Sequence, residues 1–317
     1  MKFSKLSLSY AALQLLSVTA SPVDIVSTNL AKRATPTTVN DEVLARFRHY
    51  VQFSAAAYCN AEEQLFGSKV TCAKNGCPTV EQANVINNGY LGIELGSQSM
   101  INGFVGLDHT NKQIVVSYHG TKSPFNFITD LIIPLEPCND LVDGCKLHSG
   151  FQNAWGDVRQ DTFSNVQAAL RVHPQYKVIT TGHSLGGAIA TIAGAYLRQA
   201  GYAVDIYTYG SPRPGNGKFA DYINAGNGAH YRVTHTNDPI ADLPAKWTGY
   251  RHSGVEFWLS TGGAETVDYN VGDVKVCEGT SNENCNDGES LTLSLDPHRY
   301  YFQRVSVCKS TTSPITW

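Results

Sequence analysis

The chain has 317 residues, of which 42% are hydrophobic and 16% charged, and its formal net charge at neutral pH is −3. No basic patch stands out, which argues against a nucleic-acid partner. After residue 20 no segment approaches the roughly 18 consecutive apolar residues of a transmembrane helix, so the sequence predicts no membrane anchor.

The N-terminus has the pattern of a secretory signal peptide. Residues 1–20 contain two early lysines, an apolar centre and small residues at the end. Residues 21–33 end in the basic pair Lys32-Arg33, which suits the removal of a short pro-segment. The alternative is a flexible terminus with an accidental basic pair. We expect the mature chain, residues 34–317, to be one domain of a secreted monomer.

Helical and β-rich patterns alternate along the mature chain. Residues 41–57 have helical periodicity after an Asn-Asp start, and residues 151–172 predict a second, longer helix. Strands are predicted at residues 114–118, 178–181, 204–209 and 231–234. This alternation predicts an α/β fold with a mostly parallel central sheet covered by helices on both faces. Ligands of such sheets bind beyond the carboxyl ends of the strands.

The segment 123–131 has one apolar and one polar half when drawn as a helix. Phe125, Phe127 and Ile128 share the apolar half, whereas Asn126 and Thr129 lie on the other. The pattern alone is typical of an ordinary surface helix packed on a core.

Residues 182–186, Gly-His-Ser-Leu-Gly, are the most informative motif. They follow the predicted strand 178–181 and precede a run of small residues that begins at Gly187. Strand, Gly-x-Ser-x-Gly and helix together are the context of a nucleophile elbow, in which a strained turn exposes the serine hydroxyl. The sequence therefore predicts Ser184 as a catalytic nucleophile.

A serine nucleophile needs a general base, and the base needs an acid that fixes its tautomer. In this fold class the acid and then the histidine follow the serine along the chain. The histidines available as bases are His252 and His298, and spacing favours His298 without excluding His252. Asp238 is the preferred acid because it follows a predicted strand, whereas Asp205 lies within one. The acids available after Ser184 are Asp205, Asp221, Asp238 and Asp242.

Ester hydrolysis at such a serine also requires backbone amides that bind the developing oxyanion. One amide is predicted at Leu185, directly after the nucleophile. The second is expected in the turn at residues 119–122, which follows the strand 114–118.

Eight cysteines in a secreted chain predict four disulfides, although sequence alone permits about 105 pairings. Three close spacings suggest local loops and leave two distant cysteines to pair with each other. The pairs suggested in this way are Cys72/Cys77, Cys138/Cys145, Cys277/Cys285 and Cys59/Cys308. A zinc site at Cys72 and Cys77 is rejected because no second pair has ligand spacing.

Several strings across residues 47–308 resemble one family in content and in order. They are residues 54–59 (SAAAYC), 108–112 (DHTNK), 181–187 (TGHSLGG), 209–213 (YGSPR), 232–238 (RVTHTND) and the Pro-His-x-x-Tyr-Phe string at 297–302. The chain is similar to the secreted fungal triacylglycerol lipases of class 3 and to their relatives, the fungal feruloyl esterases. The resemblance implies the α/β-hydrolase fold. It also implies three of the disulfides; the Cys277/Cys285 pair is not part of it in the lipases.

The resemblance assigns roles to particular residues. It implies the triad Ser184, Asp238 and His298, which favours His298 over His252, and it implies Thr121 as the second oxyanion donor. The apolar half of segment 123–131 stands where these lipases carry a lid, whereas feruloyl esterases carry a polar segment there. The sequence therefore predicts hydrolysis of triacylglycerols at a lipid–water interface without a metal or organic cofactor. The alternative is a feruloyl esterase that acts on plant cell-wall esters.

Overall fold

A computed structural model describes residues 35–60, 66–92, 101–121, 134–280, 283–289, 292 and 294–308. All of them belong to one compact unit, Lys32–Trp317. The predicted signal peptide, the pro-segment and the amphipathic segment 123–131 lie outside the described residues. Within those ranges no helix has the length and apolar character needed to cross a membrane.

The described chain alternates strands with helices, as the sequence patterns predict. Helices are α1 Asp41–Asn60, α2 Pro78–Gln82, α3 Ser149–Val172, α4 Leu185–Gln199, α5 Gly217–Ala225 and α6 Asp296–Arg299. Short 3-10 turns lie at Ala73–Asn75, Lys246–Thr248, Val271–Asp273 and Asn286–Gly288. Strands are β1 Val85–Leu91, β2 Gly103–Asp108, β3 Gln113–Tyr118, β4 Leu135–Pro137, β5 Lys146–His148, β6 Lys177–His183, β7 Val204–Tyr209, β8 Gly215–Asn216, β9 His230–His235, β10 Tyr250–Arg251, β11 Val255–Leu259 and β12 Val274–Cys277.

The central sheet has eight strands in the order β1-β2-β3-β6-β7-β9-β11-β12. Strands β3, β6, β7, β9 and β11 are mutually parallel, while the outer pairs at each edge are antiparallel. This arrangement confirms the predicted mostly parallel sheet. A second sheet has the order β10-β8-β5-β4. Its strands β4 and β5 precede α3, whereas β8 follows β7 and β10 follows β9.

Both faces of the central sheet are buried under helices, because successive strand residues point to opposite sides. In β7, Ile206 packs into a core that includes residues of α3 and α4, while Tyr207 packs on the other face with α1. A strand that is apolar on both faces requires helices on both sides. The double cover predicted from the sequence is thus confirmed.

All eight cysteines form disulfides, in the four pairs that their spacing suggests. The Cys59–Cys308 bond joins residues 249 positions apart and ties the end of α1 to the end of the described chain. The Cys72–Cys77 bond closes a loop of only 5 positions. A longer closed loop removes more conformational entropy from the unfolded chain.

We predict that Cys59→Ser/Cys308→Ser lowers the free energy of unfolding by about 5 kcal/mol, against about 2 kcal/mol for the matched control Cys72→Ser/Cys77→Ser. Both values follow from the lengths of the loops that the bonds close. Equilibrium urea unfolding of the two double variants measures the difference. Equal losses, or a larger loss for the short loop, would contradict the entropic account.

Candidate active site

Ser184 lies on the sharp turn between β6 and α4. Its backbone has φ 61° and ψ −131°, a conformation that non-glycine residues adopt only where the surroundings enforce it. The amide of Ser184 donates to the carbonyl of Tyr209 at 2.9 Å, which fixes the turn to the end of β7. A Cβ on Gly182 would lie 2.2 Å from the carbonyl oxygen of Gly186, so the flanking glycines permit this turn.

The turn after β3 lies directly beside this serine. A Cβ on Gly120 would stand 2.9 Å from the Cβ of Ser184, so no side chain fits between them. Thr121 follows Gly120, and Leu185 is the first residue of α4. The two predicted oxyanion donors therefore belong to segments that adjoin Ser184 directly, one to the turn after β3 and one to the helix.

Asp238 and His298 are hydrogen bonded to each other in a buried pocket. The Nδ1 atom of His298 lies 2.8 Å from Oδ2 and 3.0 Å from Oδ1 of Asp238. The carboxylate also accepts from the hydroxyl of Tyr301 at 2.5 Å and from the amide of Ile240 at 2.9 Å. Asp238 is fully buried and His298 is 1% exposed. The structure thus brings together two predicted site residues that lie 60 positions apart in the chain.

This geometry defines which nitrogen of His298 can accept a proton. A carboxylate only accepts hydrogen bonds, so Nδ1 of His298 carries the proton and Nε2 is the basic atom. Neither Nε2 of His298 nor Oγ of Ser184 has a hydrogen-bond partner within the described residues, and both atoms are buried. Catalytic hydrogen bonds are often long before substrate binds.

Gly210 shows that the imidazole lies at the end of β7, next to the residue that anchors the serine. A Cβ at this position would lie 2.9 Å from Nδ1 of His298. The preceding residue, Tyr209, accepts the hydrogen bond from the amide of Ser184. The base and the nucleophile are therefore anchored to neighbouring atoms at the end of β7.

The electrostatics of the pocket keep the acid ionised. Burial raises the pKa of Asp238, but the charge and hydrogen bond of His298 lower it, as do the hydrogen bonds from Tyr301 and Ile240. The net result is a pKa below the usual range. Asp238 thus remains a carboxylate that orients the imidazole and stabilises its protonated form.

Two buried histidines that the sequence analysis did not single out hold the backbone of the base. His183 Nε2 donates to the carbonyl of His298 at 2.7 Å, and its Nδ1 accepts from the hydroxyl of Tyr58 at 2.9 Å. His235 Nδ1 donates to the carbonyl of Pro297 at 2.7 Å. His183 is the last residue of β6, and His235 is the last residue of β9. A histidine at the carboxyl end of a predicted strand was the available sequence signal for a position near the site.

The other candidate acids and bases serve the fold. Asp205 accepts from the amide of Ala229 at 2.8 Å, and Asp221 lies within α5. Asp242 lies beside Arg213, whose guanidinium is buried. His252 is buried, and its Nε2 donates to the carbonyl of Ala241 at 2.7 Å. The structure therefore assigns none of them to the pocket of Ser184.

One cluster in the described part of the chain groups potential metal ligands: Cys72, Cys77 and Glu81. The two sulfurs are joined in a disulfide and so cannot act as thiolates. Glu81 instead accepts from the amide of Cys72 at 2.7 Å. The rejection of a zinc site at these cysteines follows from this chemistry.

Comparison with known proteins identifies the family. Residues 115–247 match the family described as "Lipase (class 3)". A "Secreted mono- and diacylglycerol lipase 1" from Fusarium solani is 42% identical over 93% of this chain and 87% of its own length. The chain belongs to the class 3 lipases.

Other class 3 lipases match over similar spans. A "Secreted mono- and diacylglycerol lipase A" from Penicillium cyclopium is 34% identical over 87% of this chain and 90% of its own length. The crystal structure of a mono- and diacylglycerol lipase from Aspergillus oryzae superimposes with a TM-score of 0.78 at 34% identity, covering 85% of this chain and 99% of that one. The predicted family, α/β-hydrolase fold and carboxylic ester hydrolase activity are confirmed.

We predict that His252→Gln leaves ester turnover intact. The free energy of unfolding of this variant should decrease less than that of the unmodified chain when the pH is lowered. The pKa of His252 lies well below its usual range because of burial and the charges of Arg232 and Arg213. Below about pH 6.5 the unfolded chain therefore binds a proton that the native chain excludes. The free energy of unfolding consequently decreases as the pH is lowered.

Urea unfolding between about pH 7.5 and about pH 5 checks this, and the slope for the variant should be shallower by up to about 1.4 kcal/mol per pH unit. Identical slopes for the two proteins would contradict the burial of a neutral His252. A large loss of ester turnover would instead revive this residue as the base.

Proposed function

We propose that this chain is a secreted serine esterase that hydrolyses the ester bonds of acylglycerols at a lipid–water interface, with Ser184, Asp238 and His298 as its triad. The observation that carries the proposal is the buried Asp238–His298 pair beside a strained serine at the end of β6. The prediction of secretion agrees with the names of the Fusarium and Penicillium relatives. Cleavage after residue 20 and after Arg33 remains a proposal.

The relatives also refine the substrate. The Fusarium and Penicillium enzymes are named for mono- and diacylglycerols, whereas the sequence analysis predicted triacylglycerols. We therefore propose partial glycerides as the preferred substrates of this chain. These names do not favour the feruloyl esterase alternative.

The reaction proceeds in two halves. His298 Nε2 takes the proton of Ser184 Oγ as the oxygen attacks the ester carbonyl, and the amides of Thr121 and Leu185 bind the resulting oxyanion. His298 then donates this proton to the departing glycerol oxygen, which leaves an acyl group on Ser184. Water, deprotonated by the same imidazole, attacks the acyl-enzyme, and the imidazole returns the proton to Ser184 Oγ as the fatty acid leaves.

The lid is proposed at Phe125, Phe127 and Ile128, in the segment that lies outside the described residues. An apolar helix face over the pocket would turn outward at a lipid surface, because each large apolar side chain that leaves water gains about 1.5–3 kcal/mol. The described chain stops at residue 121, after β3, and resumes at residue 134, before β4.

An exposed indole lies on a turn near β4, the strand that follows this segment in the chain. Trp247 is 89% exposed, on a turn that is pinned because Arg251 donates to the carbonyl of Lys246 at 2.8 Å. A Cβ on Gly249 would contact Leu135, in β4, at 3.6 Å. Tryptophan prefers the boundary between water and lipid. We therefore propose that Trp247 enters the lipid surface.

Ser184→Ala and His298→Ala are each predicted to lower kcat on emulsified diacylglycerol by at least about 10³-fold, because the nucleophile and the base act as a unit. Circular dichroism verifies that the variants fold. A panel of mono-, di- and triacylglycerol and methyl ferulate, assayed with the unmodified chain, tests the substrate class.

His252→Gln serves as the control, since it removes a buried histidine outside the pocket. Full activity of Ser184→Ala would refute the proposed mechanism. Turnover of methyl ferulate faster than that of every acylglycerol would restore the esterase alternative.

Trp247→Ser should reduce the rate on emulsified diacylglycerol about three- to tenfold through weaker adsorption, because the indole no longer leaves water. Hydrolysis of a dissolved short-chain ester should be unchanged. Sedimentation with diacylglycerol droplets measures the bound fraction, and Thr248→Ala on the same turn is the matched control. Equal adsorption of the two variants would exclude an anchoring role for Trp247.

A further inference from the structure

The segment that follows the Cys277–Cys285 disulfide contacts the loop that carries Asp238. We name Asn286 and Asp287 the clamp and residues 236–244 the acid loop. The clamp lies in the 3-10 turn Asn286–Gly288, which precedes α6 and its histidine in the chain. It reaches the acid loop at both ends, and neither contact was anticipated from the sequence.

The first contact is at the start of the acid loop. Asn286 is 1% exposed, and its Nδ2 donates to the carbonyl of Thr236 at 2.7 Å. The same carbonyl accepts from the indole of Trp258 at 2.7 Å. Thr236 has φ 38°, a left-handed conformation that is strained for a β-branched residue. Two donors on one carbonyl hold this strained residue two positions before Asp238.

The second contact is at the far end of the loop and runs through Arg213. Its guanidinium is 1% exposed and donates to the carbonyls of Asp242 and, at 2.8 Å, Pro244. It also forms an ion pair with Asp287. One buried cation thus joins the acid loop to the clamp.

A third link joins two carboxyl groups. Burial and the carboxylate of Asp287 together raise the pKa of Asp242 to about 8, against the opposing charge of Arg213. A hydrogen bond between the two carboxyl groups contributes to this rise and lowers the pKa of Asp287. This contact closes the same end of the acid loop.

The disulfide fixes the clamp itself. Cys277 ends β12 at the edge of the central sheet, and Cys285 immediately precedes Asn286. Both sulfur-bearing residues pack with Trp258 in a small buried cluster. The clamp is therefore tied to the sheet by a covalent bond, whereas the acid loop is held by hydrogen bonds and an ion pair.

We propose that the clamp, anchored by the Cys277–Cys285 disulfide, positions Asp238 for catalysis by holding the acid loop at both ends. The proposal rests on the proposed function, since it takes Asp238 as the acid of the triad. A residue in a strained backbone conformation keeps its place only where its surroundings over-determine it. Loss of the clamp should let the carboxylate drift from Nδ1 of His298, and catalytic groups tolerate only about 0.5 Å of displacement.

Two substitutions of Asn286 test this. Asn286→Ala removes the donor, and Asn286→Asp keeps the shape but places an oxygen against the Thr236 carbonyl. On a dissolved short-chain ester we expect kcat to fall about tenfold, with KM changed less than about twofold, because the hydrogen bond positions the acid and does not touch substrate. The downfield proton NMR resonance of the Asp238–His298 hydrogen bond should shift or broaden.

Glu283→Gln is the matched control, because this side chain lies in the same loop and is 85% exposed. It should reproduce the unmodified enzyme in both readouts. Cys277→Ser/Cys285→Ser should give the kinetic signature of Asn286→Ala. Combining the changes should cost less than the product of their separate effects, as expected for one coupled unit.

The outcomes separate this proposal from the proposed function. If Asn286→Ala lowers only the melting temperature, while kcat and the NMR resonance stay unchanged, the clamp is merely structural and the proposal is overturned. If Ser184→Ala is inactive in that case, the proposed function still stands. If Ser184→Ala keeps full activity, the triad and the clamp's role fail together.

Discussion

The hydrogen bond between Asp238 and His298 is the interaction on which the rest of the account depends. A carboxylate taken out of water is costly unless donors replace the lost solvent. Here the imidazole, the Tyr301 hydroxyl and the Ile240 amide supply those donors to a fully buried group. The carboxylate in turn fixes the imidazole tautomer. The hydrogen bond that compensates for the burial of Asp238 therefore also leaves Nε2 of His298 free to act as the base.

The parallel sheet explains why such distant residues meet. Strands β6, β7 and β9 are neighbours and end together, with His183 opposite Tyr209 and Tyr209 opposite Val233. Loops that leave adjacent strands at the same edge must share one space. Ser184 follows the first of these strands and Asp238 follows the third, and α6 returns to this edge from beyond β12. His183 and His235, at the ends of β6 and β9, then secure the backbone of α6.

Much of this site was predictable because its signals are local. The glycines around Ser184 indicate a turn that has no room for side chains. The spacing of apolar residues indicates which segments are strands and which are helices. The cysteine spacing suggested the four disulfides, because three pairs lie close together in the sequence and only two cysteines then remain. His298 required the resemblance to known lipases, because spacing alone left His252 open.

Contacts made by tertiary packing left no local signal. The roles of Tyr58, Tyr301 and Asn286 depend on which backbone atoms lie opposite their polar atoms, and no periodicity encodes that. The part of His183 in holding the His298 carbonyl depends on a contact 115 positions away along the chain. The reacting residues were thus easier to predict from the sequence than the residues that position them.

The most direct test of the account is covalent labelling with an organophosphonate ester, located by mass spectrometry. The account predicts a single adduct on Ser184, formed rapidly in the unmodified enzyme and hardly at all in His298→Ala, because the hydroxyl needs the imidazole to lose its proton. An adduct on another residue would contradict it. Equal labelling of Ser184 with and without the imidazole would do the same.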